Sequence, residues 1–384
     1  MRVITNSKLI KAGDTFVALG KGVDFIGEAK LRGASKIIKG ETAFGIESKK
    51  YLANLRRHNP NLKVIAITGS VGKTTVKDLL GFVLSQFAKT VFSPNSYNNE
   101  IGVPITIFQC DKTTQYLVLE MGANKIGDLD YLTNIAPPDI ACLLSVAPAH
   151  LQDFGSITNI IKAKTEIFAN LLSNGTGIIP ADNTNIQIAL YKYNDKKFIT
   201  FPKVPDLKNT KTALKTKLLG EHNLINMSAV LKICQTLQLD LDKVISIISK
   251  FQQLSPHRLQ KIIKSNLVFL DDSYNANPNS MLAALQTLVS LQAKRYWAVL
   301  GKMEELGNQS NNLHKQIGLA FNNSLVSQVL IFGEINLYGS YNKFLYFSNK
   351  IDIIQYIKNN AKKGDNILVK ASNYSKLWEV IEGV

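Results

Sequence analysis

The segment that most constrains this chain runs from Val64 to Thr75. Val64-Ile65-Ala66-Ile67-Thr68 is a continuous apolar run of the kind that forms a strand covered on both faces. It passes directly into Gly69-Ser70-Val71-Gly72-Lys73-Thr74-Thr75, and a helical pattern starts at Val76. A glycine-rich turn between strand and helix aims backbone N–H groups and the positive end of the helix at a phosphate. In this P-loop frame Lys73 reaches the outer phosphates and the Thr74 hydroxyl serves Mg²⁺. The general P-loop spacing would put its first glycine at Ile67, so the form present is the shorter Thr-Gly-x-x-Gly-Lys-Thr.

The rest of the chain repeats the same grammar. Short apolar runs at Tyr116–Glu120, Ile140–Val146, Leu267–Asp271, Tyr296–Leu300, Gln328–Phe332 and Asn366–Lys370 alternate with helical stretches. That alternation predicts an α/β fold with mainly parallel sheets. A length of 384 residues suits two or three domains. The expected blocks are a small N-terminal α/β domain over 1–62, a central P-loop ATPase domain over 63–254 and a C-terminal Rossmann-like α/β domain over 255–384. The first ends in the polar stretch Arg56 to Pro60, and the second in a long helical tail, Asn223–Gln253. The break between second and third falls at Leu254-Ser255-Pro256, and Lys203–Lys217 reads as a surface loop or edge hairpin.

Lys and Arg outnumber Asp and Glu by 45 to 29, a formal charge of +16. The basic residues are spread out, and no nucleic-acid-binding signature accompanies them. Anionic small substrates are therefore expected, and no nucleic acid. Cys110, Cys142 and Cys234 lie far apart in largely apolar runs, which suits buried, reduced thiols in the cytoplasm. The first residues lack an apolar core of signal-peptide length, and no apolar run is long enough to span a bilayer, so no membrane insertion is expected.

Several further side chains stand where ligands collect, at the C-terminal ends of strands. Glu120 ends one run and would hold a metal beside the phosphates; read alone, it is a solvent-facing acid. His150 follows another run, and a lone histidine is more often structural. Lys164 lies on an expected helix and by itself reads as a surface lysine. Asn223 and Asn226 open a helix, where their amides would either meet a base or cap the helix. Arg258 follows the break at Pro256 and would reach ATP, or else stand solvated. Asp271-Asp272 suggests ribose or metal contacts, and Asn275-Ala276-Asn277-Pro278 is a tight turn into a helix.

Taken together and in order, these segments resemble the Mur ligases of peptidoglycan synthesis over nearly the whole chain. The resemblance is carried by Ser96-Tyr97-Asn98-Asn99-Glu100-Ile101-Gly102-Val103-Pro104, Leu119-Glu120-Met121-Gly122-Ala123, Asp271 to Pro278, Val299 to Gly307 and Gly13-Asp14-Thr15-Phe16-Val17-Ala18-Leu19. Within the family it is most similar to the member that joins D-Ala-D-Ala to UDP-MurNAc-tripeptide. That resemblance implies an ATP-dependent ligase working through an acyl phosphate, with two Mg²⁺ ions. Gly69 to Thr75 would bind ATP. Thr74, Glu120, His150 and a carbamylated Lys164 would bind metal. Asn223 and Asn226 would meet adenine, Asp272 the ribose and Arg258 the γ-phosphate. Ser7, Asn98, Asn99, Tyr274 and Asn275 would meet the substrates. Lys73, Lys164, His150 and Arg258 form the expected catalytic set, in a monomer.

Four segments depart from the family's usual residues. Asn6-Ser7-Lys8 stands for Asp-Ser-Arg, Lys21-Gly22-Val23-Asp24-Phe25 matches Asp-Gly-His-Asp-Phe only in part, Lys302 stands for Asp, and Ala371-Ser372-Asn373 for Gly-Ser-Arg. Those at Asn6, Lys8 and Asn373 motivate a competing reading as a nucleotide-binding partner that has lost catalysis; the competing enzyme readings are a sister ligase with another amine donor and a folylpolyglutamate-synthase-like ligase.

Overall fold

The computed structural model describes residues 2–147, 151–208, 210–252 and 255–384. Fifteen strands form three sheets among these residues. The first sheet is β1 (Val3–Ile4), β2 (Thr15–Ala18) and β3 (Lys36–Lys39), in that order and parallel. The second holds β4 (Lys63–Thr68), β5 (Thr90–Phe92), β6 (Tyr116–Glu120), β7 (Ile140–Leu143), β8 (Thr176–Pro180) and β9 (Lys197–Phe201). Its spatial order is β5-β6-β4-β7-β8-β9, all parallel. The third holds β10 (Gln260–Lys264), β11 (Leu267–Asp271), β12 (Arg295–Leu300), β13 (Val326–Phe332), β14 (Phe344–Phe347) and β15 (Asp365–Lys370). Its order is β10-β11-β15-β12-β13-β14, with only the edge strand β10 antiparallel. The α/β class and parallel sheets expected from the apolar runs are what the chain forms.

The backbone divides into two compact units. One takes in Met1–Val146, Ile161–Lys215 and Met227–Ser249; the other takes in Ala147–Ile160, Thr216–Asn226 and Lys250–Val384. In the first, Val64, Ile65, Ala66 and Ile67 of β4 are all fully buried. At about 1.5–3 kcal/mol for each large aliphatic chain taken out of water, this strand is a principal anchor of its sheet. The first sheet joins the same unit through aromatic packing. Val17 and Ile38 pack on Phe44 and Phe108, and Phe44 stacks on Phe108 at 5.6 Å. The polar stretch read as the end of the first block begins as the last turn of a helix, Glu41–His58, with Asn59 as its C-cap and Pro60 beyond it. There Arg56 donates to Asp139 at 2.7 Å, and Asp139 also accepts the Val64 N–H at 2.9 Å.

Three local readings need correction. The run Ile140–Val146 is strand only to Leu143, because Ser145 turns away to hydrogen-bond the loop after β4. The helical tail is two helices, His222–Thr236 and Leu241–Ile248. Gln238 adopts a φ of 58° between them, and the Asp240 side chain caps the second by accepting from Asp242 and Lys243 N–H groups. The Lys203–Lys217 stretch holds no strand among the described residues, which leaves the surface-loop reading. Gln253 and Leu254, at the expected domain break, lie outside the described residues. The three cysteines are buried, with burial pushing the Cys110 thiol up to about 12. No helix among the described residues is long and apolar enough to cross a membrane.

In the second unit Asn277 starts the helix Pro278–Ser290 with a reciprocal cap: its side chain accepts from the Ser280 N–H, and its own N–H donates to Ser280 Oγ. Substitution Asn277→Ala is expected to cost about 1 kcal/mol. Urea unfolding followed by tryptophan fluorescence checks this, since both tryptophans, Trp297 and Trp378, lie in this unit.

Candidate functional site

In the second sheet β4 lies between β6 and β7; the connection leaving its C-terminal end runs to β5 on one side, while that leaving β7 runs to β8 on the other. Ligands of open parallel sheets bind at such a point, and the loop Gly69–Gly72 opens there. Gly69 has a φ of 157°, and a Cβ on it would lie 3.0 Å from Leu144 Cβ and 3.1 Å from the Ser145 nitrogen. Gly72, with a φ of 88°, caps the helix Lys73–Leu84. Only glycine meets both demands at low cost. Ser145 shapes the loop: its carbonyl accepts the Ser70 N–H at 3.0 Å, and its hydroxyl accepts the Val71 N–H at 3.2 Å. Sequence reading missed Ser145, because a serine after an apolar strand carries no signal of its own.

Lys73 is half-buried and donates to the Gly69 carbonyl at 2.7 Å. Thr74 is buried, with its hydroxyl 3.4 Å from that of Ser96. Thr75 follows on the same first helical turn. Glu120, on the neighbouring strand β6, is only 1% exposed, which overturns the solvent-facing reading. Its Oε1 accepts from Asn98 Nδ2 at 2.8 Å, while its buried Oε2 has no partner among the described residues. A carboxylate oxygen buried without a partner is costly unless a cation meets it. Asn99 is occupied otherwise: its Oδ1 accepts the Gly102 N–H at 2.9 Å.

Lys164 is the sharpest correction to a residue-by-residue reading. It lies on the helix Ile157–Thr165 as expected, but it is 2% exposed and donates to the Ala123 carbonyl at 3.2 Å. Burial foremost, then the charge of Lys73, pulls its pKa down to about 7, against the opposing pull of Asp128. A lysine in that state is neutral, and so nucleophilic, in a substantial share of molecules near neutral pH, where an ordinary lysine is charged. His150 lies outside the described residues. No cluster of three or more His, Cys, Asp or Glu side chains suited to a metal occurs among the described residues. In the first sheet's region Ser7 is buried, and its hydroxyl donates to Glu28 at 2.8 Å.

The second unit carries a separate group of candidates around the C-terminal end of β11. Asp271 accepts from Ser273 and pairs with His257 Nδ1 at 2.6 Å. Asp272 Oδ1 accepts the Leu259 N–H at 3.1 Å, and its Oδ2 accepts from Lys370 at 2.6 Å. The Arg258 guanidinium lies 4.1 Å from the centre of the Tyr274 ring, a cation–π contact rather than a solvated side chain. Asn275 Oδ1 accepts the Ala276 N–H at 2.8 Å. At the start of the helix His222–Thr236, Asn226 donates to Asn223 Oδ1 at 2.8 Å, and Asn223 donates to the Leu219 carbonyl at 2.7 Å. Both amides are buried.

Comparison with known proteins gives these clusters a context. Residues 67–234 match the Mur ligase middle domain, and residues 257–373 match the Mur ligase glutamate ligase domain. The UDP-N-acetylmuramoyl-tripeptide–D-alanyl-D-alanine ligase of Buchnera aphidicola is 32% identical over 365 residues, covering 86% of this chain and 78% of its own. That of Escherichia coli is 31% identical over an alignment of 432 residues, covering 100% and 93%. Among solved structures, MurF from Acinetobacter baumannii superposes with a TM-score of 0.89 at 26% identity, over 99% of this chain and 92% of that one. MurF from Thermotoga maritima in complex with ADP gives 0.87 at 28% identity, over 100% and 96%.

Proposed function

Because the chain belongs to the Mur ligase family, we propose that it is the ligase that joins D-alanyl-D-alanine to UDP-MurNAc-tripeptide with cleavage of ATP. The observation that carries the proposal is the strand-to-helix loop Gly69–Thr75 beside a buried Glu120 whose second oxygen is unsatisfied. A phosphate-binding loop next to such an acid suits a nucleotide and its metal. The choice of amine donor is supported by the relatives: proteins bearing this activity's name align at 31–32% identity. A folylpolyglutamate synthase from Mycobacterium tuberculosis shares the fold alone, at 15% identity and a TM-score of 0.67.

In the reaction a carboxylate oxygen of the tripeptide attacks the γ-phosphorus of ATP, and the bond to the β-phosphate oxygen breaks, leaving ADP. The free amine of D-Ala-D-Ala then attacks the acyl phosphate carbon. The tetrahedral intermediate expels phosphate, the nitrogen loses its proton, and the amide remains. Such phosphoryl transfer depends on positioning and charge neutralisation. Gly69 to Thr75 would cradle the phosphates through backbone N–H groups, with the Lys73 ammonium on the outer two. Glu120 Oε2 and the Thr74 hydroxyl would hold Mg²⁺, which when bound offsets phosphate charge. Lys164, carbamylated by addition of CO₂ to its neutral amine, and His150 would hold a second ion. Arg258 would contact the γ-phosphate, Asp272 the ribose, and Asn223 and Asn226 the adenine. Ser7, Asn98, Asn99, Tyr274 and Asn275 would meet the other substrates. We further propose domain limits at 1–62, 63–254 and 255–384, and a cytoplasmic monomer with no nucleic-acid partner.

The test is product mass analysis after incubation with ATP, Mg²⁺, UDP-MurNAc-tripeptide and one amine donor at a time. Pentapeptide formation and ADP release should need D-Ala-D-Ala, and diamino acids or glutamate should not replace it. Turnover with glutamate alone would move the chain to a folylpolyglutamate-type activity, and ATP binding with no turnover would mark a lapsed ligase.

A further inference from the structure

Lys370 ends β15 and is 1% exposed, so its charge is removed from water. An ammonium has three protons to donate. Three acceptors meet this one: Asp272 Oδ2 at 2.6 Å, the Asn275 carbonyl at 2.8 Å and the Asp272 carbonyl at 3.3 Å. A buried cation on three acceptors of one short loop pins that loop, because losing any acceptor leaves charge unsatisfied in a poorly hydrated place.

The loop in turn holds the segment carrying Arg258. Asp272 Oδ1 accepts the Leu259 N–H, and the Tyr274 N–H donates to the His257 carbonyl at 3.0 Å. The Tyr274 ring lies under the Arg258 guanidinium. On the other side the His257 ring pairs with Asp271 and stacks on Trp378 at 4.5 Å. His257 and Leu259 have φ angles of 59° and 54°. Two non-glycine residues in the left-handed region flank Arg258, a conformation that persists only where surrounding contacts enforce it.

We infer that Lys370 is a positioning residue for phosphoryl transfer: through Asp272 and the 272–275 loop it sets the direction of Arg258. The inference rests on the reading of Arg258 as the γ-phosphate contact. No role in touching substrate is assigned to Lys370.

A double-mutant cycle on the full-length enzyme tests it, with kcat and the KM for ATP measured for ligation. Lys370→Met should lower kcat by about 10²-fold, the scale of a misplaced electrostatic group. In an Arg258→Ala background the same change should cost less than about threefold, since the two act as one unit. Lys370→Arg, which keeps the charge, should recover at least about tenfold of the loss. An equal loss in both backgrounds overturns the inference, because a merely structural role is blind to Arg258. A rise in the KM for ATP at unchanged kcat overturns it as well. Should Lys370→Met fail to fold, the cycle is run with Lys370→Gln, which keeps a donor to the 272–275 loop but removes the charge; additivity there is equally fatal. Wild-type turnover by Arg258→Ala alone removes the γ-phosphate reading itself, and is recognised without touching Lys370.

Discussion

Substitution Lys73→Ala is expected to lower dipeptide-dependent ADP formation by at least about 10³-fold while the protein stays folded. The ammonium sits at the first position of the helix Lys73–Leu84, half-buried, with its hydrogen bond to the Gly69 carbonyl inside the loop it serves. In its proposed role on the outer phosphates, removing it would delete a positive charge where negative charge must be held in the transition state, a loss of the size seen for preorganised electrostatic groups. Because Lys73 contributes little to a core, unfolding should shift by no more than about 0.5 kcal/mol. Stopped-time ADP assays and a urea melt measure the two effects separately. Retention of a tenth or more of the turnover would remove Lys73 from the outer phosphates. A second consequence is readable in the same variant: without the charge of Lys73, the pKa of Lys164 should rise toward the ordinary lysine range, because that charge is one of the two causes holding it down.

The second large effect concerns Lys164. Carbamylation joins a neutral amine to CO₂ and releases one proton, so it needs the unprotonated form. Burial and the neighbouring Lys73 bring the pKa to about 7, so at pH 8 the amine is mainly neutral, whereas an ordinary lysine would be almost entirely charged. Enzyme stripped of CO₂ is expected to lose about 10²-fold in kcat and to regain it on adding bicarbonate. Lys164→Arg, which stays charged at any accessible pH, should be inactive with or without bicarbonate. Incubation with ¹³C-labelled bicarbonate should give one carbamate resonance in the wild type and none in Lys164→Arg. Full activity in CO₂-free buffer, with no such resonance, would leave Lys164 as an uncharged donor to the Ala123 carbonyl.

How much was legible beforehand varies by residue, for physical reasons. The run Tyr116–Glu120 forms a strand with the bounds expected, because a short continuous apolar stretch has few other ways to leave water. The apolar run overshoots the end of β7 because Leu144 is as apolar as Leu143, and the hydrogen bonds of Ser145 to the Gly69–Gly72 loop end the strand. The helical tail reads as one helix because its apolar pattern hardly lapses. Asp240 before Leu241-Asp242-Lys243 was the readable cap signal within it. From the sequence Lys370 reads only as the last residue of a strand. Its partners, Asp272 and Asn275, lie about a hundred positions away, and no local pattern announces such a pair.

From the order of residues alone came the α/β class, the parallel sheets and the strand–glycine turn–helix at Gly69–Thr75, since each is announced by a pattern within a few positions: apolar runs alternating with helical stretches, a Gly-x-x-Gly-Lys-Thr turn and the helix after it. Folding decided what the charged side chains mean. Glu120 is written as an anion and Lys164 as a cation in any sequence, but burial leaves the first with an unsatisfied oxygen and brings the pKa of the second to about 7. Solvation is a property of the surroundings, and those surroundings are assembled from strands and helices remote along the chain.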